Sequence, residues 1–436
     1  MTPDKQASLP IQVTLLSTSD IYGGAAIASY RLYHALKKNQ VQAQLLVQSK
    51  LTQDESVTTI SSSYWQQKKT FLRFALDRLL FLPYEKNTSV RFAFSPGHVG
   101  IKLSEHPLVR QADVINLHWI NFGFLSLRSI RQLAKLDKPI VWTFHDMWAF
   151  TGGCHYSGTC THYQTHCHDC PFLRQPGPRD LSFRVFERKL ALFAHLPLTV
   201  VTSSEWLGRL ARKSALLKYV DIRSIPIPID TNLYQPLDRT ECRQQLGLPL
   251  NKMLILFGAM NTHDTRKGFA YLTEALDLLK GQADTELVIF GKADEATLQA
   301  LPFKVNYLGV IARPEQLVPV YNAADVFILP SLEDNLPNTV IESLACGTPV
   351  VGFQMGGLPE MVAHKRNGYL ATYQSAADLA TGIAWVLLEA DPKATRLSAR
   401  GHVLQHYTEA VVARQYQQLY EQLTMNSKQS TMQGGE

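Results

Sequence analysis

Short β-branched runs alternate with helix-like segments twice over in this chain, and that repetition restricts it to a parallel α/β architecture. In the first half the runs are Ile11–Ser17, Val41–Val47, Asp113–His118, Pro139–Phe144 and Leu198–Ser203. The second half offers Met253–Gly258, Glu286–Gly291, Val305–Leu308, Asp325–Pro330 and Pro349–Phe353. Most are continuously apolar rather than alternating, the pattern of strands buried on both faces of a parallel sheet. Between them, Ala28, Leu32, Ala35 and Leu36 share one helical face. Leu272, Ala275, Leu276 and Leu279 share another. Two rounds of strand–helix alternation predict two doubly wound sheets.

A chain of 436 residues exceeds one ordinary core, so two domains of roughly 200 residues are expected. The boundary falls within Ser224–Pro236, where Pro226, Pro228 and Pro236 forbid helix and disfavour a central strand. The expected organisation is a first domain over 1–223 with a Cys-rich insertion at about 152–172, and a second over 224–409. A last helix at 410–425 would cross back to the first domain, followed by a frayed polar tail, 426–436. The carboxyl ends of both sets of strands would line a cleft, where ligands of such folds bind.

Composition narrows the class. The 45% hydrophobic and 18% charged fractions are those of a globular protein. No apolar run approaches the roughly 18 residues of a membrane span. Met1–Pro10 is polar and lacks a signal-peptide core, so a cytoplasmic location is expected. The net charge of +6 is spread along the chain without a nucleic-acid-binding signature, and nucleic acid is not an expected partner.

The richest motif is Ser331–Val351, which leaves a buried strand, crosses a polar loop, opens a short helix and enters the next strand. Asp334 and Glu342 bracket the helix start, beside Asn338 and Thr339. Carboxylates next to backbone N–H groups at a helix N-terminus suit a ligand carrying both phosphate and hydroxyls, such as a nucleotide sugar. Thr339 and Glu342 also fit a capping box, so capping and ligand binding both stand open for Glu342. After the first strand, Gly23 and Gly24 precede a helix, as a close backbone approach to phosphate requires. Arg266 and Lys267 open the helix after the second domain's first strand, where cations would neutralise a departing diphosphate. His118 and His145 end two strands, and Asp146 would fix the His145 tautomer or join the site.

Four cysteines, Cys154, Cys160, Cys167 and Cys170, cluster among histidines, whereas Cys242 and Cys346 read as isolated buried thiols. In a cytoplasmic chain the cluster is expected to hold a structural zinc, with disulfides or reduced thiols as alternatives. The basic, apolar stretch Lys68–Leu82 reads as a helix packed on its own domain, or else one lying in a membrane interface.

These residues together resemble the group 1 (family 4) retaining glycosyltransferases of the GT-B fold, over nearly the whole chain. The most specific block is Glu333–Val351 with the turn Gly356–Glu360. Trp142–Tyr156 and the cysteine cluster are similar to bacterial exopolysaccharide and colanic-acid-type enzymes. The resemblance implies two Rossmann-like domains facing a central cleft and a nucleoside diphosphate sugar as donor. It implies retained anomeric configuration and no cofactor required for catalysis. Glu342 would bind the donor ribose and the first acid a hydroxyl of the transferred sugar; here that position is Asp334, with Glu333 adjacent. Lys267 matches the diphosphate lysine, Ala259 stands where its partner arginine is usual, and Arg266 is the candidate substitute. Gly23 and Gly24 match the loop near the donor phosphates, and His145 the histidine near the reaction centre.

The expected function is hexosyl transfer to a glycan or lipid-linked acceptor in bacterial exopolysaccharide or lipopolysaccharide assembly, with peripheral contact at the cytoplasmic face of the inner membrane. A nucleotide-sugar epimerase and a non-catalytic zinc-braced scaffold are the alternatives.

Overall fold

The computed structural model of the protein describes residues 11–259, 265–281 and 284–433. The chain divides into two compact units, Met1–Pro226 with Val412–Glu436, and Ile227–Val411.

The first unit is built on seven parallel strands: β1 (Gln12–Ser19), β2 (Gln42–Ser49), β3 (Val57–Thr59), β4 (Val114–Leu117), β5 (Ile140–Phe144), β6 (Leu198–Thr202) and β7 (Asp221–Ser224). Their spatial order is β3-β2-β1-β4-β5-β6-β7. Every residue of β4 and β5 is buried, as their unbroken apolar sequences require. Side-chain alternation assigns successive residues to opposite faces: Leu15 joins one apolar cluster and Leu16 the other.

The second unit holds six parallel strands: β8 (Met253–Ala259), β9 (Thr285–Gly291), β10 (Val305–Gly309), β11 (Val326–Leu329), β12 (Val350–Phe353) and β13 (Gly368–Ala371). Their order is β10-β9-β8-β11-β12-β13, so the chain reverses direction across the sheet between β8 and β11. That reversal point is where doubly wound sheets take ligands. The loop 260–264 after β8 lies outside the described residues.

Three strands escaped the hydrophobic-run reading: β3, β7 and β13. All three stand at sheet edges. β7 is nowhere fully buried and β3 only at Val57, so neither forms a continuous apolar run.

The last helix, Glu409–Gln433, extends past the expected end at 425. No glycine or proline intervenes before Gly434 to stop it, so helix propensity carries it through the polar segment expected to fray. Val412, Ala413, Tyr416, Leu419 and Tyr420 join the first unit's core. Asn116 of β4 donates to the Tyr420 hydroxyl at 2.8 Å. Tyr416 and Thr143 of β5 share a hydroxyl–hydroxyl bond of 3.2 Å.

The Tyr64–Phe81 helix packs on its own unit through few of its apolar residues. Its buried residues are Thr70, Asp77, Arg78 and Phe81, and most of its large apolar side chains face outward. The inward face is held by polar chemistry: Arg78 pairs with Asp77 at 2.6 Å and donates to the Phe94 carbonyl at 3.0 Å. Among the described residues no helix is long and apolar enough to cross a membrane.

Candidate active site

In the second unit, the neighbouring strands β8 and β11 deliver two loops to the same sheet end. Lys267 closes a short 3-10 turn, Thr265–Lys267, and Asp334 lies in the loop after β11. Lys267 Nζ stands 2.8 Å from Asp334 Oδ2. The backbones are tied as well, since the Leu332 amide donates to the Arg266 carbonyl at 2.7 Å.

Glycine lets backbones close around this pair at two positions. Gly268 has φ +66°, and a Cβ there would stand 1.9 Å from the Pro330 carbonyl oxygen. Gly356 has φ +58°, and its Cβ would stand 1.9 Å from the Asp334 carbonyl oxygen. A side chain at Gly268 would push apart the loops that share the Lys267–Asp334 pair, and one at Gly356 would push the loop after β12 off Asp334. The Lys267 side chain keeps 33% of its surface exposed and Asp334 keeps 15%. A pair that is partly open retains a cation able to meet an incoming anion.

The capping-box reading of Glu342 is corrected. The helix Asn338–Ala345 starts after Pro337, which has no side-chain acceptor, and Glu342 sits in its middle, past the first turn. Its carboxylate is buried and accepts from the Tyr321 hydroxyl at 2.8 Å. Tyr321 is raised well above the ordinary tyrosine value by burial first and the Glu342 charge next, so it remains a donor. Asn338 and Thr339 occupy the first turn, half-buried, while Arg266 is exposed. The Ser331 hydroxyl, at the exit of β11, is buried without a hydrogen-bond partner among the described residues.

In the first unit, Gly23 has φ 90° and ψ 163°, a conformation open essentially to glycine alone, and it precedes the helix Gly24–Lys38. Space around its missing Cβ is open to 4 Å. Asp20, fully buried, fixes the same loop: it accepts from the Ile21, Leu51 and Thr52 amides at 2.9–3.1 Å. Sequence reasoning passed over Asp20, although an acid closing the first strand's carboxyl end was a usable signal.

His118 and His145 meet directly, His118 Nδ1 to His145 Nε2 at 3.0 Å. Burial lowers His118 well below the ordinary histidine value and His145 to about 4. Both rings are therefore neutral near pH 7, one nitrogen donating to the other. Asp146 has a different hydrogen-bonding task from the one expected beside His145. Its carboxylate accepts from the Trp119 indole at 2.9 Å and the Trp148 amide at 2.8 Å, and pairs with His155 at 2.7 Å. Burial alone would raise its pKa, but His155 and these donors bring it below the usual carboxylate value. Its effect on His145 is through charge. The partnership with Trp119 and His155 has no local sequence signature, because Trp119 follows β4 while Asp146 and His155 lie nine residues apart in the connection after β5.

The zinc expectation is not supported. Cys154, Cys160, Cys167 and Cys170 line one cavity of about 20 Å³, with His162 and His168. Yet among the described residues no three His, Cys, Asp or Glu side chains form a group able to hold a metal. All six cysteines are free. Burial raises Cys154 to about 11 and Cys167 to about 12. Cys154 and Cys170 instead pack with Phe81, Phe94 and Leu173. Cys167 joins the larger core of the first unit, beside Tyr163 and Phe186.

The chain is similar to known proteins. Residues 251–389 match the family "Glycosyl transferases group 1". The chain is 28% identical to the D-inositol 3-phosphate glycosyltransferase of Arthrobacter sp. (strain FB24), over 62% of this chain and 60% of that protein. Alignments with curated relatives span between 34% and 64% of those proteins' length. In fold it is similar to sucrose-phosphate synthase (tll1590) from Thermosynechococcus elongatus, at TM-score 0.64 and 19% identity, covering 95% of this chain and 100% of that one. It is also similar to Anabaena Alr3699/HepE, solved in complex with UDP and glucose, at TM-score 0.63 and 17% identity, covering 94% and 100%. The family match is confined to residues 251–389, and the likeness to solved structures along nearly the whole chain shows the fold, two parallel-sheet α/β units as in GT-B glycosyltransferases.

Proposed function

We propose that this protein transfers a hexosyl group from a nucleoside diphosphate sugar to a hydroxyl of a glycan or lipid-linked acceptor, with retention of anomeric configuration. The observation that carries the reading is the Lys267–Asp334 pair at the sheet's reversal point, 2.8 Å apart. Cleaving the bond between sugar and diphosphate develops negative charge on the leaving oxygen, and a preplaced ammonium stabilises that charge. Lys267 has this role, with the exposed Arg266 as a second cation.

Asp334, or Glu333 beside it, holds a hydroxyl of the transferred sugar. Donor phosphate comes within Lys267's reach, and the lysine's charge is then shared between that phosphate and Asp334. Glu342, held by Tyr321, accepts from the ribose hydroxyls, and Asn338 and Thr339 at the helix start complete the donor contacts. Gly23 and Gly24 offer backbone donors to phosphate. His145 and Asp146 serve the reaction centre, His145 as a neutral imidazole. A uridine nucleotide is the favoured donor, supported by the UDP complex of the Anabaena protein. The segment Trp142–Tyr156 supports a bacterial surface polysaccharide as the product.

The test is product analysis. The purified protein is incubated with UDP-, GDP- and ADP-hexoses, with and without a polyprenyl-linked saccharide fraction. One hexosyl unit gained by the acceptor, with the donor's anomeric configuration by NMR, is the expected result. An epimerised nucleotide sugar formed without acceptor overturns it.

A further inference from the structure

The Tyr64–Phe81 helix turns the usual amphipathic pattern inside out. Its outward residues include Trp65, 73% exposed, Leu72, 66%, Leu79, 61%, and Leu76, 42%. At the α-helical step of about 100° per residue, these four fall within an arc of about 60°. They form a continuous apolar ridge facing away from the core, with Lys68 flanking it on one side and Lys69 on the other. Tyr64 stands at the start of the helix, and Leu82 and Phe92 nearby are exposed too. Single exposed apolar residues need no explanation, but a ridge of this length on one helix does.

Charge identifies what covers it. From Ser61 to Phe92 the acids are Asp77 and Glu85, and both are buried. Each is spent on an arginine, Asp77 on Arg78 and Glu85 on Arg91, both at 2.6 Å. What remains uncompensated by these pairs is cationic: Lys68, Lys69, Arg73 and Lys86. A second copy of the chain meeting this face by two-fold symmetry would set those cations against each other. An anionic bilayer surface offers the opposite: phosphates for the lysines and a boundary where tryptophan and leucine leave water.

We propose that the Tyr64–Phe81 helix docks the protein on the surface of an anionic lipid bilayer. Trp65, Leu72, Leu76 and Leu79 enter the headgroup–acyl boundary, and Lys68 and Lys69 meet the lipid phosphates. The inference stands on this surface and does not depend on the donor-site reading. If that reading also holds, docking concentrates the enzyme beside a lipid-linked acceptor.

Vesicle flotation of the full chain tests it, comparing phosphatidylcholine vesicles with others containing about one part in four phosphatidylglycerol. The expected result is flotation with the anionic vesicles at least about tenfold above that with phosphatidylcholine alone. Trp65→Ser/Leu72→Ser/Leu79→Ser should lose about tenfold of that binding and keep the wild-type melting temperature, since these side chains are exposed. Should that variant misfold, Lys68→Glu/Lys69→Glu decides, because it must lose the preference for phosphatidylglycerol. Wild-type protein that fails to float overturns the proposal. So does a folded triple variant that floats like wild type, or a dimer in solution that the triple variant dissociates.

Discussion

Lys267 Nζ lies 2.8 Å from Asp334 Oδ2 across 67 residues of sequence. The two belong to loops that leave adjacent strands; Gly268 lets those loops touch, and Gly356 lets the loop after β12 close on Asp334. A cation and an acid so placed, half-open to solvent, carry the donor-site reading.

Replacing Lys267 with alanine should lower turnover by about a hundredfold or more, the scale of losing one preorganised charge at a leaving group. Stability should hardly change, because a partly exposed ion pair contributes about 0–1 kcal/mol. Steady-state kinetics together with a melting curve separate the two effects. Near-wild-type turnover would remove Lys267 from the chemistry.

Gly268→Ala should be costlier to the fold than its size suggests. The added methyl meets the Pro330 carbonyl at 1.9 Å, in a backbone conformation with φ +66°. Destabilisation of about 1–3 kcal/mol is expected from the strain alone. Urea unfolding should show a lower midpoint, and donor affinity should fall with it. An unchanged midpoint would mean that the two loops are less tightly joined than described.

Tyr321→Phe removes a single hydroxyl and leaves one Glu342 oxygen short of its 2.8 Å donor. The group is buried, so a cost of about 1–3 kcal/mol is expected. Because Glu342 is assigned to the ribose, KM for the donor should rise more than kcat falls. A kcat loss at unchanged KM would contradict that assignment.

The paired histidines predict a pH dependence of stability. Burial takes His145 from 6.5 in a free chain to about 4 when folded, and His118 moves the same way. Between these values the unfolded chain binds more protons than the folded one. Stability therefore rises with pH across the window from about 4 to 6.5, and is lost as pH falls through it. Denaturation of His145→Gln at a series of pH values should show a shallower slope there than wild type. An equal slope would exclude this pair as its source.

Much of the fold could be read from apolar runs, because β4, β5, β11 and β12 are buried along their whole length. The edge strands β3 and β7 could not, since little of either is buried. Within the site, Lys267, Asp334 and the glycine turns announced themselves by their position after strands. What stayed hidden is pairing at a distance: Tyr321 with Glu342, His118 with His145, and Asp146 with His155. Local patterns misled where tertiary packing set the outcome. Thr339 and Glu342 have capping-box spacing but the helix begins too early for it. The clustered cysteines have the look of a metal site, but Cys154 and Cys170 pack in an apolar cluster.

The most direct measurement is calorimetric titration of UDP, GDP and ADP into the wild-type protein and Lys267→Ala. Saturable binding of one of the three nucleotides, UDP foremost, weakened at least about tenfold in the variant, is the expected result. Binding of none of the three, or equal affinity in both proteins, would contradict it.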